Sequence, residues 1–167
     1  MLANLNKMFK RLDVTYNKEE LLSLANSLEY NRAYKELGRA IPQEIVPAFG
    51  LDHPLIKHIT QQLPKVRFYN SSFIRTTPNT IVEPHTDSSG LDNIKRTVNF
   101  LFPLKNYNSP LTIYNAGKHI FDITGPIAFR CDLPHSYENQ TDDYRIALIL
   151  QVKHPFTFER LMVTRAI

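Results

Sequence analysis

Cysteine is almost absent: the 167-residue chain has one, Cys131, so no intrachain disulfide can form. That scarcity fits a reducing compartment. No apolar run approaches the ~20 residues that a membrane span needs. Residues 1–16 alternate polar and apolar side chains and contain no signal-peptide core. Internal repeats, low-complexity stretches and linkers that would split the chain are also missing. Basic runs are missing too: the net charge is +4 and the pI about 9.2, but the excess is dispersed. Residues 81–143 reverse the sign, with 8 acidic against 5 basic side chains. Scattered charge without interleaved aromatics argues against nucleic acid as the partner.

What is present is ordinary globular composition, 43% hydrophobic and 22% charged, which excludes a disordered chain. The length suits one domain spanning residues 1–167, able to bury roughly 70% of the surface its unfolded form exposes. The expectation is a soluble, cytoplasmic, single-domain protein without a membrane partner.

The pattern divides near residue 64. Before it, Asn17 and Glu20 have capping-box spacing, and Leu21, Leu24, Ala25 and Leu28 follow at helical intervals, with Gly38 as the stop. A second helix is expected over 53–63, capped by Asp52 and ended by Pro64. Residues 1–64 therefore read as a helical N-terminal support. From Lys65 onward short strands alternate with turn residues. Candidates are Val66–Phe68 with a bulge or turn at Asn70–Ser72, then 80–85, 96–102, 111–114, 119–123, 127–130 and 144–153. Among the turns is Ser88-Ser89-Gly90. Many short, evenly spaced strands indicate a sandwich or barrel, a set that includes the jelly roll.

His85 and Asp87 lie two residues apart, and side chains at i and i+2 share a strand face. Alone, the pair is equally an exposed polar strand end. Glu83 has the same parity, although Pro84 can bulge the strand and remove it. His135 follows Pro134 and precedes the most apolar strand; it is a loop histidine or the third member of a two-imidazole, one-carboxylate set. Such a set occupies one face of a metal and leaves the other open. Arg145 opens that apolar strand, where an unpaired guanidinium is costly. Its partner is either Asp142 or Asp143 within the chain, or a bound carboxylate matched by the planar fork. His53, His58, His119 and His154 fit no such pattern.

The segments Pro84-His85-Thr86-Asp87, Pro134-His135-Ser136-Tyr137-Glu138-Asn139 and Tyr144-Arg145-Ile146-Ala147-Leu148 resemble the Fe(II)/2-oxoglutarate-dependent dioxygenases. The flavour is similar to the prolyl hydroxylase and aspartyl/asparaginyl hydroxylase branches. The family order is His-x-Asp, a variable gap, a distal His, and Arg or Lys about ten residues on; the resemblance covers roughly 66–152. It implies a mainly β fold with N-terminal helices, a double-stranded β-helix (cupin-like jelly roll). It implies Fe(II) on His85, Asp87 and His135, and 2-oxoglutarate with its distal carboxylate on Arg145. Asn99, alternating with Val98 and Phe100, becomes either a contact to the cosubstrate or a solvent-facing residue. Arg75, Arg96 and Tyr114 are candidates for the substrate side.

The implied activity is hydroxylation of an amino acid or of a peptide or protein side chain, consuming O₂, with ascorbate as a candidate stimulant. Three other readings stay open, one of them a nucleic-acid-acting member of the same family, favoured only if basic residues converge beside the metal. A zinc hydrolase also uses two histidines and a carboxylate but gives Arg145 no role. A non-catalytic jelly-roll binding module would keep the motif as a relic.

Overall fold

The computed structural model describes residues 7–34, 40–87 and 98–152. In chain order the elements are β1 (Phe9–Arg11), α1 (Lys18–Ser27), β2 (Asn31–Tyr34), β3 (Ala40–Phe49), α2 (Pro54–Thr60), β4 (Phe68–Thr76) and β5 (Thr80–His85). They continue with β6 (Val98–Lys105), β7 (Leu111–Tyr114), β8 (Lys118–Phe121), β9 (Ile127–Arg130), β10 (His135–Asn139) and β11 (Arg145–Val152). A seven-stranded sheet runs β1-β9-β6-β11-β4-β3-β2, and a four-stranded sheet runs β5-β10-β7-β8. Every pairing is antiparallel. This is the mainly β jelly roll expected from the sequence.

The centre of the large sheet is β11, buried along its whole length between β4 and β6. It reads as an unbroken apolar run because both of its faces are covered. Ile146, Leu148, Leu150 and Val152 face a core completed by Leu21 and Ala25 of α1 and Ile56 and Ile59 of α2. Ala147 and Ile149 face the other way, into the space between the sheets, with Leu101, Ile113, Ile127 and Phe129. Cross-strand partners share a face. Arg145 with Thr76, Ala147 with Ile74, and Gln151 with Asn99 therefore belong to this interior face.

The N-terminal segment departs from the expected all-helical support. Its helices are short, and β1, β2 and β3 join both ends of the large sheet. Helix α1 starts as read, with the Asn17 side chain accepting from Glu20 N at 3.1 Å, but it ends at Ser27. Gly38 lies outside the described residues. Pairing of Asn31 with Ile45 captures the chain that helical periodicity extended. In β3, Pro42 and Pro47 remove backbone donors that a helix interior needs. Helix α2 is capped by His53, not Asp52: the imidazole Nδ1 accepts from Leu55 N, and Pro54 occupies the first turn. It stops at Thr60, three residues short of the expected end.

The strand reading fares better. β5, β7 and β9 have the expected limits, whereas β8 begins and ends earlier and β6 runs on to Lys105. Asn70–Ser72 do not interrupt β4; a register shift near Phe68 absorbs the irregularity and the strand continues to Thr76. The Ser88–Gly90 turn lies outside the described residues. Alternation does not mark strand β10, because Ser136 and Glu138 give it a polar face. Among the described residues no helix is long and apolar enough to cross a membrane.

Asn139 joins the two elements that carry His135 and Arg145. Buried at the end of β10, it donates to the carbonyls of Thr76, Thr77 and Asp143 and accepts from Thr141 N and Oγ1. Asn139→Ala leaves several of these groups without partners. The expected loss is about 2–4 kcal/mol, read by chemical denaturation, since each buried orphan costs ~1–3 kcal/mol.

Candidate metal centre

His85 closes β5 and His135 opens β10, and the antiparallel pairing sets them directly opposite one another. Their rings lie 4.5 Å apart between centroids. Asp87 stands just past the end of β5, held by its N–H donating to Cys131 O at 3.0 Å. One Asp87 oxygen, Oδ1, is 3.5 Å from His85 Nε2 and 3.6 Å from His135 Nε2. The three ligand-type atoms all lie within 4.8 Å of one another. Parity and the family order thus bring together the three residues singled out from the sequence. Glu83 is exposed and outside the cluster; the irregular register around Pro84 removes it from that face.

The histidines are oriented for donation. His85 Nδ1 lies 2.8 Å from Glu83 O and His135 Nδ1 lies 3.0 Å from Leu133 O. A carbonyl only accepts, so each Nδ1 carries the hydrogen and each Nε2 presents a lone pair to the cluster. Phe129 packs edge-on against the His135 ring, with centroids 5.2 Å apart. The other Asp87 oxygen, Oδ2, accepts from Asn99 Nδ2 at 2.5 Å. Asn99 therefore faces inward, away from Val98 and Phe100, and its amide nitrogen donates to Asp87.

The electrostatics follow from this packing. Burial pushes the Asp87 carboxyl up, but the His135 and His85 imidazoles and the Asn99 amide outweigh it and hold it at about 2. Burial pushes His135 below its ordinary value, against the pull of Asp87.

Arg145 is buried, and Asp142 and Asp143 are not its partners. Asp142 accepts from Asn79, and Asp143 takes Lys105 and the Tyr144 N–H. The guanidinium is instead stacked between Tyr107 and Tyr137, 4.1 and 4.6 Å from their ring centroids. Nη1 donates to Glu138 O at 2.6 Å, while the buried Nε has no hydrogen-bond partner. Among the described residues no carboxylate pairs with it. Burial raises both phenols, so the two rings stay neutral against the cation.

The lower-ranked residues fall elsewhere. Arg75 pairs across the sheet with Ile146 and so lies on the helix-covered face, opposite Arg145. It is clamped there by Glu44 and by the Tyr30 and Tyr144 rings. Tyr114 alternates with Ile113, the cross-strand partner of His135, and turns outward to meet Ser136 Oγ at 3.1 Å. Neither reaches the cluster. Arg96 and His154 lie outside the described residues. Three residues escaped the sequence reading. Tyr137 shares parity with His135 and follows once β10 is recognised. Gln151 is, with Arg145, one of two polar residues in an otherwise apolar strand. Tyr107 sits between β6 and β7 and carries no signal.

No family model matches the sequence, and no curated protein matches it. Solved structures do. A Pseudomonas putida prolyl-4-hydroxylase superposes with a TM-score of 0.63 at 14% identity, over 92% of this chain and 100% of that one. A Trichoplax adhaerens prolyl hydroxylase in complex with a hypoxia inducible factor peptide gives 0.60 at 13%, over 98% and 91%. HygX from Streptomyces hygroscopicus, with nickel and 2-oxoglutarate bound, gives 0.59 at 10%, over 90% and 84%. The chain has the jelly-roll fold of these 2-oxoglutarate–Fe(II) oxygenases.

A pH dependence follows for the metal-free protein. A histidine whose pKa is lowered from 6.5 on folding contributes stability that is lost as pH falls below that value. Asp87, lowered from 3.8 to about 2, contributes stability lost only at lower pH, between those values. Thermal melts from pH 7 to 5 are expected to show a fall that His135→Gln flattens. A parallel fall in the variant counts against a neutral, buried His135.

Proposed function

We propose that the protein is an Fe(II)- and 2-oxoglutarate-dependent oxygenase whose metal ligands are His85, Asp87 and His135. The donor set suits the ion: two imidazole nitrogens freed by their Nδ1–H contacts, and a carboxylate oxygen directed at both. Three protein ligands on one side leave the remaining positions for cosubstrate and oxygen. When bound, the iron supplies the oxygen activation that couples 2-oxoglutarate decarboxylation to oxidation of the substrate.

The observation that carries the reading beyond the metal is Arg145. A buried guanidinium with an orphaned Nε and no carboxylate partner among the described residues calls for an anion. The distal carboxylate of 2-oxoglutarate fits the planar fork. Tyr107 and Tyr137 flank the guanidinium and fix its plane, so the side chain is ordered before its partner arrives. A zinc hydrolase leaves this arrangement without a purpose. Substrates in keeping with the neighbours are an amino acid or a peptide or protein side chain, with hydroxylation as the reaction.

The deciding experiment incubates purified protein with Fe(II), ascorbate and 2-oxoglutarate and measures succinate. Turnover in the wild type and none in His135→Ala, with an unchanged far-UV spectrum, is the expected result. Wild-type succinate from His135→Ala removes that residue from the metal.

Arg145→Ala is expected to weaken 2-oxoglutarate binding by about 2–5 kcal/mol, the usual cost of truncating one member of a buried charge pair. Metal affinity changes far less. Arg145→Lys falls between, keeping the charge and losing the fork. Titration calorimetry with metal and with 2-oxoglutarate separates the two effects.

A further inference from the structure

Two acceptors on the interior face have no donor. Asn99 and Gln151 oppose each other on β6 and β11 and are 1% and 4% exposed. The Asn99 amide orientation is set by Asp87, because a carboxylate accepts and cannot donate; Nδ2 must point at it. Asn99 Oδ1 is therefore turned away from Asp87, and it has no hydrogen-bond partner. Gln151 Oε1 has none either. Side chains directly opposite on antiparallel strands have Cβ atoms ~4.5–5.5 Å apart, yet these two amides do not bond each other. Buried acceptors without donors are rare because each is a cost to folding. One group with two hydrogens can serve both oxygens together. A hydroxyl, with one hydrogen, serves only one.

We infer that Asn99 Oδ1 and Gln151 Oε1 form an acceptor pair that receives a substrate nitrogen carrying at least two hydrogens, as in a primary carboxamide, an ammonium or a guanidinium. This deepens the oxygenase reading and rests on it, since the Asn99–Asp87 hydrogen bond is what sets the pair beside the proposed metal ligands. The same bond links the pair to the metal: a donor on Oδ1 polarises the amide and strengthens its hold on Asp87 Oδ2. Serine, threonine and other single-hydroxyl groups are disfavoured at this position.

The test uses the full chain loaded with Co(II) and 2-oxoglutarate, and its Gln151→Met variant. The probes are acetamide, methylammonium and methylguanidinium; N,N-dimethylacetamide and methanol are the controls. Relaxation of their methyl protons by the paramagnetic cobalt reads proximity. In the wild type at least one probe is expected to relax several times more than either control, and Gln151→Met removes the difference. The responding probe tells the amide from the cations. Without cobalt, Gln151→Met is expected to melt higher by roughly 2–4 °C, because an unpartnered acceptor has been replaced by an isosteric apolar group. Equal relaxation of probes and controls in the cobalt-loaded wild type overturns the acceptor pair. So does a variant that melts lower, which means that Gln151 is served internally, by a neighbour or a held water. A wild type that takes up no cobalt sinks the oxygenase reading itself.

Discussion

Strand β11 is the constraint on which the rest of the structure depends. It is hydrogen-bonded on both sides and covered on both faces, by helices on one and by the small sheet on the other. A strand so enclosed leaves no room for polar side chains except where a partner or ligand justifies them. Arg145 and Gln151, at its two ends, are the polar residues it carries. Both face the interior, and both have a buried polar atom without a partner. The pleat forces this shared direction, since positions six apart on a strand lie on one face.

The metal cluster is built differently, from the ends of strands. His85, Asp87 and His135 meet because β5 and β10 pair where each begins or ends, and Cys131, just past the end of β9, supplies the carbonyl that fixes Asp87. Strand ends combine a rigid base with freedom to turn a side chain, which a site needs if it is to be ordered before its ligand arrives. Carbonyls of Glu83 and Leu133, each two residues before its histidine, set the imidazole tautomers. The orientation of the cluster is therefore a backbone property, insensitive to the side chains at positions 83 and 133.

Much of this was legible in the sequence. Period-two alternation and turn residues located most strands, and strand parity together with the family resemblance singled out the cluster and Arg145. Three kinds of information were not local. The fate of residues 28–34 and 40–49 depends on pairing across the large sheet, which overrides helical periodicity. The partners of Arg145 come from β10 and from a loop far along the chain, so proximity in sequence to Asp142 and Asp143 misled. Arg75 and Tyr114 had suitable chemistry, but the face each occupies is fixed by register, and register is fixed by partners that composition does not reveal. For Asn99 alternation left a cosubstrate contact and a solvent-facing position both open, because it says that the side chain points away from Val98 and Phe100 and not what it meets; the bond to Asp87 turns it inward.

Pro84 has a consequence beyond bending the strand that bears His85. Among the described residues β5 is an outer strand of the small sheet, with β10 as its neighbour. An outer strand offers unpaired backbone groups to any other extended chain, and sheets grow by that route into aggregates. Proline has no N–H to offer, so extension along β5 is interrupted one residue before the histidine. At the opposite margin, β8 sets Lys118 in solvent, a charge that discourages stacking with a second copy. The small sheet thus has one margin blunted chemically and the other electrostatically, so concentrated protein is guarded against association at the strand that carries a proposed metal ligand.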